Sequence, residues 1–156
     1  MKIEVGKSAP AFTLPSDEGN TISLVDLKGK NVVLYFYPKD DTPGCTIEAQ
    51  DFTRKLPEFA ELDTVILGVS KDSVKSHCKF IEKYNLGFNL LADESQKTCT
   101  DYEVIKEKSM MGRKYMGIER STFLINKIGK VVKIWRNVKV NGHIEEVIQA
   151  IKQAEK

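Results

Sequence analysis

With 156 residues and 24 Lys and Arg against 22 Asp and Glu, the chain amounts to one domain, and its net charge of +2 is too small and scattered to suggest nucleic-acid binding. A composition of 41% hydrophobic and 29% charged residues is that of an ordinary soluble globular protein with a real core, which excludes intrinsic disorder. The longest apolar run, Val32 to Tyr37, falls far short of the roughly 20 residues a membrane-spanning helix needs.

The amino terminus, Met1 to Lys7, carries charges where a signal peptide needs a continuous apolar stretch, so a cytoplasmic protein is expected. No repeat or Pro/Gly/Ser linker divides the chain, and residues 1–156 read as a single domain. Asn31 to Tyr37 is a β-branched and aromatic run, which predicts a strand covered on both faces. After the turn Pro38 to Gly44, apolar positions at Ala49, Phe52, Leu56 and Phe59 predict one amphipathic helix. Thr64 to Val69 predicts a second buried strand, and Ser70-Lys71-Asp72 offers caps for a helix running to about Tyr84. A short strand at Phe88 to Leu91 and a short helix at Asp93 to Tyr102 follow. Lys106 to Arg120 shows no clear period and carries Met110, Met111 and Met116, so it reads as a long connection draped over the domain, packed as a loop or serving as a substrate flap. Thr122 to Asn126 and Lys130 to Trp135 predict a hairpin across Lys127-Ile128-Gly129, and Gly142 to Ala154 a closing helix. Strands that first alternate with helices and then form a hairpin imply a three-layer α/β sandwich, a mixed central sheet flanked by helices on both faces.

Three cysteines, Cys45, Cys78 and Cys99, form no C-x-x-C and cannot all pair, which excludes a disulfide scaffold and a thioredoxin-type reductase. Cys45 stands where a buried strand gives way to a helix. Unpaired N–H groups at a helix amino terminus carry partial positive charge and stabilise a thiolate over a thiol. Pro43 presets φ for a first helical turn, and Gly44 leaves the backbone amides open to close approach. Thr42 offers a hydroxyl able to accept from one oxygen of a substrate and donate to the other or to sulfur, which suits a peroxide. Pro38 excludes water without adding a donor. Asp40 and Asp41 would oppose a thiolate, so both are expected to point outward or cap backbone amides. Cys45 also shares the apolar stripe of Ala49, Phe52, Leu56 and Phe59, but packing alone does not call for Thr-Pro-Gly ahead of a filler residue.

Pro38-x-x-x-Thr42-x-x-Cys45 resembles the active-site pattern of the peroxiredoxins. The strings Tyr-Phe-Tyr-Pro-Lys and Thr-Pro-Gly-Cys-Thr-x-Glu-Ala, the amino-terminal Gly6-x-x-Ala9-Pro10-x-Phe12-x-Leu14-Pro15, Ile105 to Lys108 and Gly117 to Ile125 are all similar to the bacterioferritin comigratory protein branch, also called peroxiredoxin Q. The resemblance spans essentially the whole chain. It implies a thioredoxin-like fold and thiol-dependent reduction of hydrogen peroxide and organic hydroperoxides, with no metal and no organic cofactor. It also implies that Cys45 is the peroxidatic cysteine, that Thr42 and the amides of Gly44 and Cys45 position the peroxide, that Pro38 shields the site and that Arg120 supplies a cation. Arg120, one of only four arginines, enters a buried-looking strand, and Glu48, one helical turn beyond Cys45, would anchor it.

The chain departs from the family pattern in how a sulfenic acid would be resolved. Relatives that place a second cysteine five residues along the same helix have it where Gln50 stands here, and others have it at the position of Ile81. Cys78 lies one turn before Ile81 and either substitutes, after local unwinding of both helices, or leaves the task to an outside thiol. The resemblance names thioredoxin, glutaredoxin or glutathione as reductant and a monomer as the state. Val74, Cys78, Ile81 and Asn85 share a helix face, so packing is the plain reading of Cys78, and Cys99 reads the same way. His77 beside Cys78 lacks the further ligands of a zinc site. A Cys-His hydrolase would have to bring His77 or His143 to Cys45, and a non-catalytic redox sensor or holdase would show oxidation of Cys45 without multiple turnover.

Overall fold

The computed structural model describes residues 3–154; Met1 and Lys2, which open the charged terminus considered above, and Glu155 and Lys156 lie outside the described residues. In chain order the elements are β1 (Thr13–Pro15), β2 (Thr21–Ser23), a 3-10 turn (Leu24–Leu27), β3 (Asn31–Phe36), α1 (Pro43–Arg54), α2 (Leu56–Glu61), β4 (Thr64–Ser70), α3 (Val74–Tyr84), β5 (Asn89–Ala92), α4 (Lys97–Asp101), β6 (Ile105–Met110), β7 (Arg113–Ile118), β8 (Ser121–Ile125), β9 (Val131–Trp135) and α5 (His143–Ala154).

An apolar strand with no polar face can satisfy its backbone only inside a sheet. β3 does so at the centre of five strands ordered β5-β4-β3-β8-β9, with β4 parallel and β8 antiparallel to it. Its side chains alternate between two cores. Val33, Tyr35 and Tyr37 meet Ala49 and Phe52 of α1, Phe59 of α2, Phe80 of α3 and Val147 and Ile151 of α5. Val32, Leu34 and Phe36 meet Leu14, Leu24, Cys99, Tyr102, Val104 and Ile118 on the opposite face. The crossovers that join the parallel strands β3, β4 and β5 pack α1, α2 and α3 on one face, which gives the expected three layers around a mixed sheet.

Four local expectations need correction. The single helix through Phe59 is two, because Pro57 has no N–H to donate and its ring clashes with a preceding carbonyl; α1 ends at Arg54 and α2 restarts at Leu56. The helix expected from Asp93 starts only at Lys97, since the Asp93 carboxylate accepts from the amides of Thr98 (3.3 Å) and Cys99 (2.7 Å). The cap of α3 is Ser73, which accepts from the Ser76 amide at 3.1 Å. Residues 106–120 are not an irregular connection: β6 and β7 pair from Ile105↔Ile118 to Met110↔Arg113. Met111 (φ 52°) and Gly112 (φ 82°) form the two-residue turn, both left-handed as tight hairpins require.

The sheet also sets the site. Phe36 at the end of β3 pairs with Ser121, so the residue before β8, Arg120, comes to the strand end from which the chain enters α1.

Candidate active site around Cys45

Cys45 is the third residue of α1 and is buried at 2% exposure. Thr42 sits in the N-cap position with extended backbone (φ −102°, ψ 156°), and its carbonyl accepts from the Thr46 amide at 2.8 Å. Its hydroxyl does not cap the helix but donates to the Lys39 carbonyl at 2.8 Å. That proton is committed, so Thr42 is left as an acceptor toward a substrate, half of the two-way role expected of it. The amides of Gly44 and Cys45 are among the first four of the helix, which have no acceptor within it.

Arg120 reaches this end of α1 from across the sheet. Its Nη2 donates to Cys45 Sγ at 3.5 Å and its Nη1 to Glu48 Oε1 at 2.6 Å. The guanidinium therefore bridges the sulfur and a carboxylate one turn further along the helix. Gly44 makes room for it: a Cβ there would stand 3.0 Å from Arg120 Nη2. Pro38 is half-buried at the strand end beside the loop.

The central strand thus leads to a helix whose third residue is a cysteine facing an arginine fork, and the chain as a whole is similar to known proteins. The AhpC/TSA family pattern matches residues 5–134. The chain is 55% identical over 152 residues to peroxiredoxin Bcp of Bacillus subtilis, covering 97% of each. Among solved structures, peroxiredoxin Q of Xanthomonas campestris superposes with a TM-score of 0.89 at 48% identity, over 93% of this chain and 92% of that one. The bacterioferritin comigratory protein of the same organism, described for its alkyl peroxide reduction activity, superposes at 0.92 and 44%, over 98% and 100%. The chain belongs to the AhpC/TSA family as a peroxiredoxin. It is accordingly a thiol-dependent peroxidase with the thioredoxin-like fold of that family.

In this peroxiredoxin Glu48 is fully buried, and its second oxygen has no hydrogen-bond partner among the described residues. Burial pushes Glu48 up to about 7 against the pull of Arg120. Burial disfavours the charge on Arg120 too, but Glu48 and Cys45 outweigh it and hold the guanidinium as a cation. Lys108, which the sequence reading quoted only as part of a matching string, lies at the edge of the site. Its ammonium donates to the Ile118 carbonyl, and burial and Arg120 together hold its pKa below the usual lysine value. Its position on a hairpin that sequence periodicity did not reveal is why it was missed.

The two aspartates part company. Asp41 points outward as expected, accepting from Lys83 Nζ (2.8 Å) and the Tyr84 hydroxyl (2.6 Å). Asp40 does not: it is buried at 7% exposure, and its carboxylate accepts from Tyr37 and Ser76 and meets His77, partners that neutralise the cost of burying it.

Cys78 is exposed on α3, its Sγ donating to the Asp17 carbonyl at 3.1 Å, so the packing reading of this residue is overturned. The buried residues of α3 are His77 and Phe80, which turns Cys78 and Asn85 toward solvent. Cys99 is the buried core residue expected of it, its thiol pushed far up by burial and by Asp93. The histidines required by a hydrolase are engaged elsewhere. His77 bonds Asp40 and the Leu91 carbonyl, while His143 meets the Thr122 hydroxyl at 2.8 Å and is pushed down to about 4 by burial and Arg120.

Proposed function

We propose that Cys45 is the peroxidatic cysteine, attacking hydrogen peroxide and organic hydroperoxides as a thiolate. The observation that carries this reading is the Arg120 fork, one arm on Cys45 Sγ and the other on Glu48. The sulfur attacks the terminal peroxide oxygen in line with the O–O bond; an S–O bond forms, the O–O bond breaks, and the departing oxygen takes a proton to leave as water or an alcohol. Sulfur is oxidised by two electrons and the peroxide reduced by two, so no metal or organic cofactor enters the balance. Thr42 accepts a hydrogen bond from the peroxide hydroxyl, and the amides of Gly44 and Cys45 with Arg120 stabilise charge developing on oxygen. Pro38 shields the sulfur from water, and Glu48 holds Arg120 in position.

The sulfenic acid on Cys45 is resolved by a thiol. Cys78 serves only if α1 and α3 both unwind locally, because a disulfide brings Cα atoms within about 4.4 to 6.8 Å. Thioredoxin, glutaredoxin or glutathione otherwise attacks directly. The protein works as a cytoplasmic monomer, with residues 1–156 as one domain. No described helix is long and apolar enough to cross a membrane.

One equivalent of peroxide followed by mass mapping tests this. An oxidation product that includes Cys45 is expected, and one on Cys78 or Cys99 without Cys45 would overturn it. A Cys45–Cys78 crosslink absent from Cys78→Ser identifies the two-cysteine route, whereas a persistent Cys45 sulfenic acid with normal glutathione turnover identifies the outside thiol.

A further inference from the structure

Two consecutive carboxylates fasten the Cys45 loop to α3, and neither touches the reacting sulfur. Asp40 Oδ1 accepts from the Tyr37 hydroxyl at 2.6 Å, and Oδ2 accepts from Ser76 Oγ at 2.7 Å and lies 2.7 Å from His77 Nδ1. His77 Nε2 is 2.9 Å from the Leu91 carbonyl; a carbonyl only accepts, so that nitrogen donates there, Nδ1 and Asp40 Oδ2 share a second hydrogen, and the ring is held at both ends. The backbone amide of Asp40 donates to Asp72 Oδ2 at 2.8 Å, and Ser70 Oγ holds the same oxygen at 2.7 Å. Asp41, in the left-handed region at φ 58°, grips Lys83 and Tyr84 in the last turn of α3. The exposed Asp41 contacts are the weaker of the two holds; the Asp40 contacts, dry and saturated, are the stronger.

The loop so fastened runs directly into Thr42, Gly44 and Cys45, while the α3 turn that fastens it runs directly into Cys78. We infer that Asp40 and His77 are a positioning pair for Cys45 and, by the same contact, a latch that makes the Cys45 loop and the first turns of α3 open together. The inference rests on the reading of Cys45 as the peroxidatic residue. With the latch closed, the amides and Thr42 are held for attack on peroxide, but Cys45 at 2% exposure is closed to a bulky thiol. In the second half-reaction the incoming thiolate attacks the Cys45 sulfur, an S–S bond forms, the S–O bond breaks and hydroxide leaves as water once protonated. That step needs the sulfur exposed, so the latch speeds the first half-reaction and restrains the second.

Rapid mixing of Asp40→Asn with hydrogen peroxide, and separately of its oxidised form with glutathione, tests the pair. Oxidation is expected to slow about tenfold and attack by glutathione to quicken about tenfold, the loss of one charged hold appearing with opposite sign in the two steps. His77→Gln, which keeps a donor toward Asp40, should fall between wild type and His77→Ala in both. A scaffold role alone would slow both steps or neither, and either result overturns the inference. In the wild-type protein, the hydrogen-bonded amides 46–49 of α1 and 77–80 of α3, which begin with Thr46 on the Thr42 carbonyl and His77 on the Ser73 carbonyl, should exchange hydrogen with a common protection; protections differing by more than about tenfold would refute the latch even if Asp40→Asn does not fold. If wild-type Cys45 is not oxidised by peroxide, the reading of Cys45 fails instead, and the exchange measurement still decides whether the two segments open as one.

Discussion

Cys45 and Cys99 are both buried, and each is the third residue of a helix, yet their surroundings have opposite sign. At Cys99 the Asp93 carboxylate takes the amides of Thr98 and Cys99, so the positive end of α4 is spent on a side chain and a negative charge faces the thiol. At Cys45 the N-cap hydroxyl turns away to Lys39, the amides stay open, and the charge facing sulfur is the Arg120 cation. The second helical residue differs as well: Gly44 lets the guanidinium in, whereas Thr98 carries a side chain. On the proposed reading of Cys45, a place at a helix start therefore does not by itself make a cysteine reactive. What occupies the amides, and which charge arrives from another element, decides it.

The largest test of this contrast is the same substitution at both places. Cys45→Ser should reduce peroxide turnover by at least about 10³-fold, while Cys99→Ser should leave it unchanged within about twofold in a steady-state peroxidase assay. Next is the buried carboxylate on each side. Glu48 sits at about 7 in the fold against an ordinary 4.5, so the folded protein binds this proton more tightly than the unfolded chain. Its contribution to stability is complete below about pH 4.5 and is lost as pH rises through about 7, amounting to on the order of 3 kcal/mol. Denaturant titrations across that window should show this slope in wild type relative to Glu48→Gln, in which it disappears; parallel pH profiles would break the assignment. A smaller effect is expected from Arg120→Lys, which keeps the charge but loses the fork: second-order oxidation of Cys45 should slow about tenfold. The smallest comes from Gly44→Ala, whose Cβ at 3.0 Å displaces Arg120 Nη2 by a few tenths of an ångström. About threefold slower oxidation with unchanged melting is expected, and a larger loss for Arg120→Lys than for Gly44→Ala keeps the order.

The central strand, the crossovers and the place of Cys45 in the first turn of a helix could be read from sequence because their signals are local: an unbroken apolar run, a 3.6-residue period, and Thr-Pro-Gly ahead of a cysteine. The β6–β7 hairpin could not, because Lys106, Glu107, Met110, Tyr115 and Met116 are all exposed and no apolar face imposes a period of two. Its one local sign, Gly112 after Met111, is weaker than the Asn-Gly that marks such turns. The burial of Asp40 is hidden from the sequence for a different reason. A carboxylate in a turn is ordinarily solvated, and the partners that bury this one, Ser76 and His77, lie 36 and 37 residues away. The exposure of Cys78 is equally hidden, because helical phase alone does not show which residues turn inward, and His77 goes inward to meet Asp40.

The contact between Arg120 and Cys45 joins residues 75 positions apart, and it exists only because β8 docks antiparallel on β3 with Ser121 opposite Phe36. A slip of one residue would carry that guanidinium to the other side of the sheet. During synthesis, then, the segment bearing Cys45 emerges long before its cation, and the sulfur has no guanidinium beside it until the strand that delivers Arg120 has been made and seated. On the proposed reading of Cys45, oxidant reactivity is thereby switched on only by completion of folding.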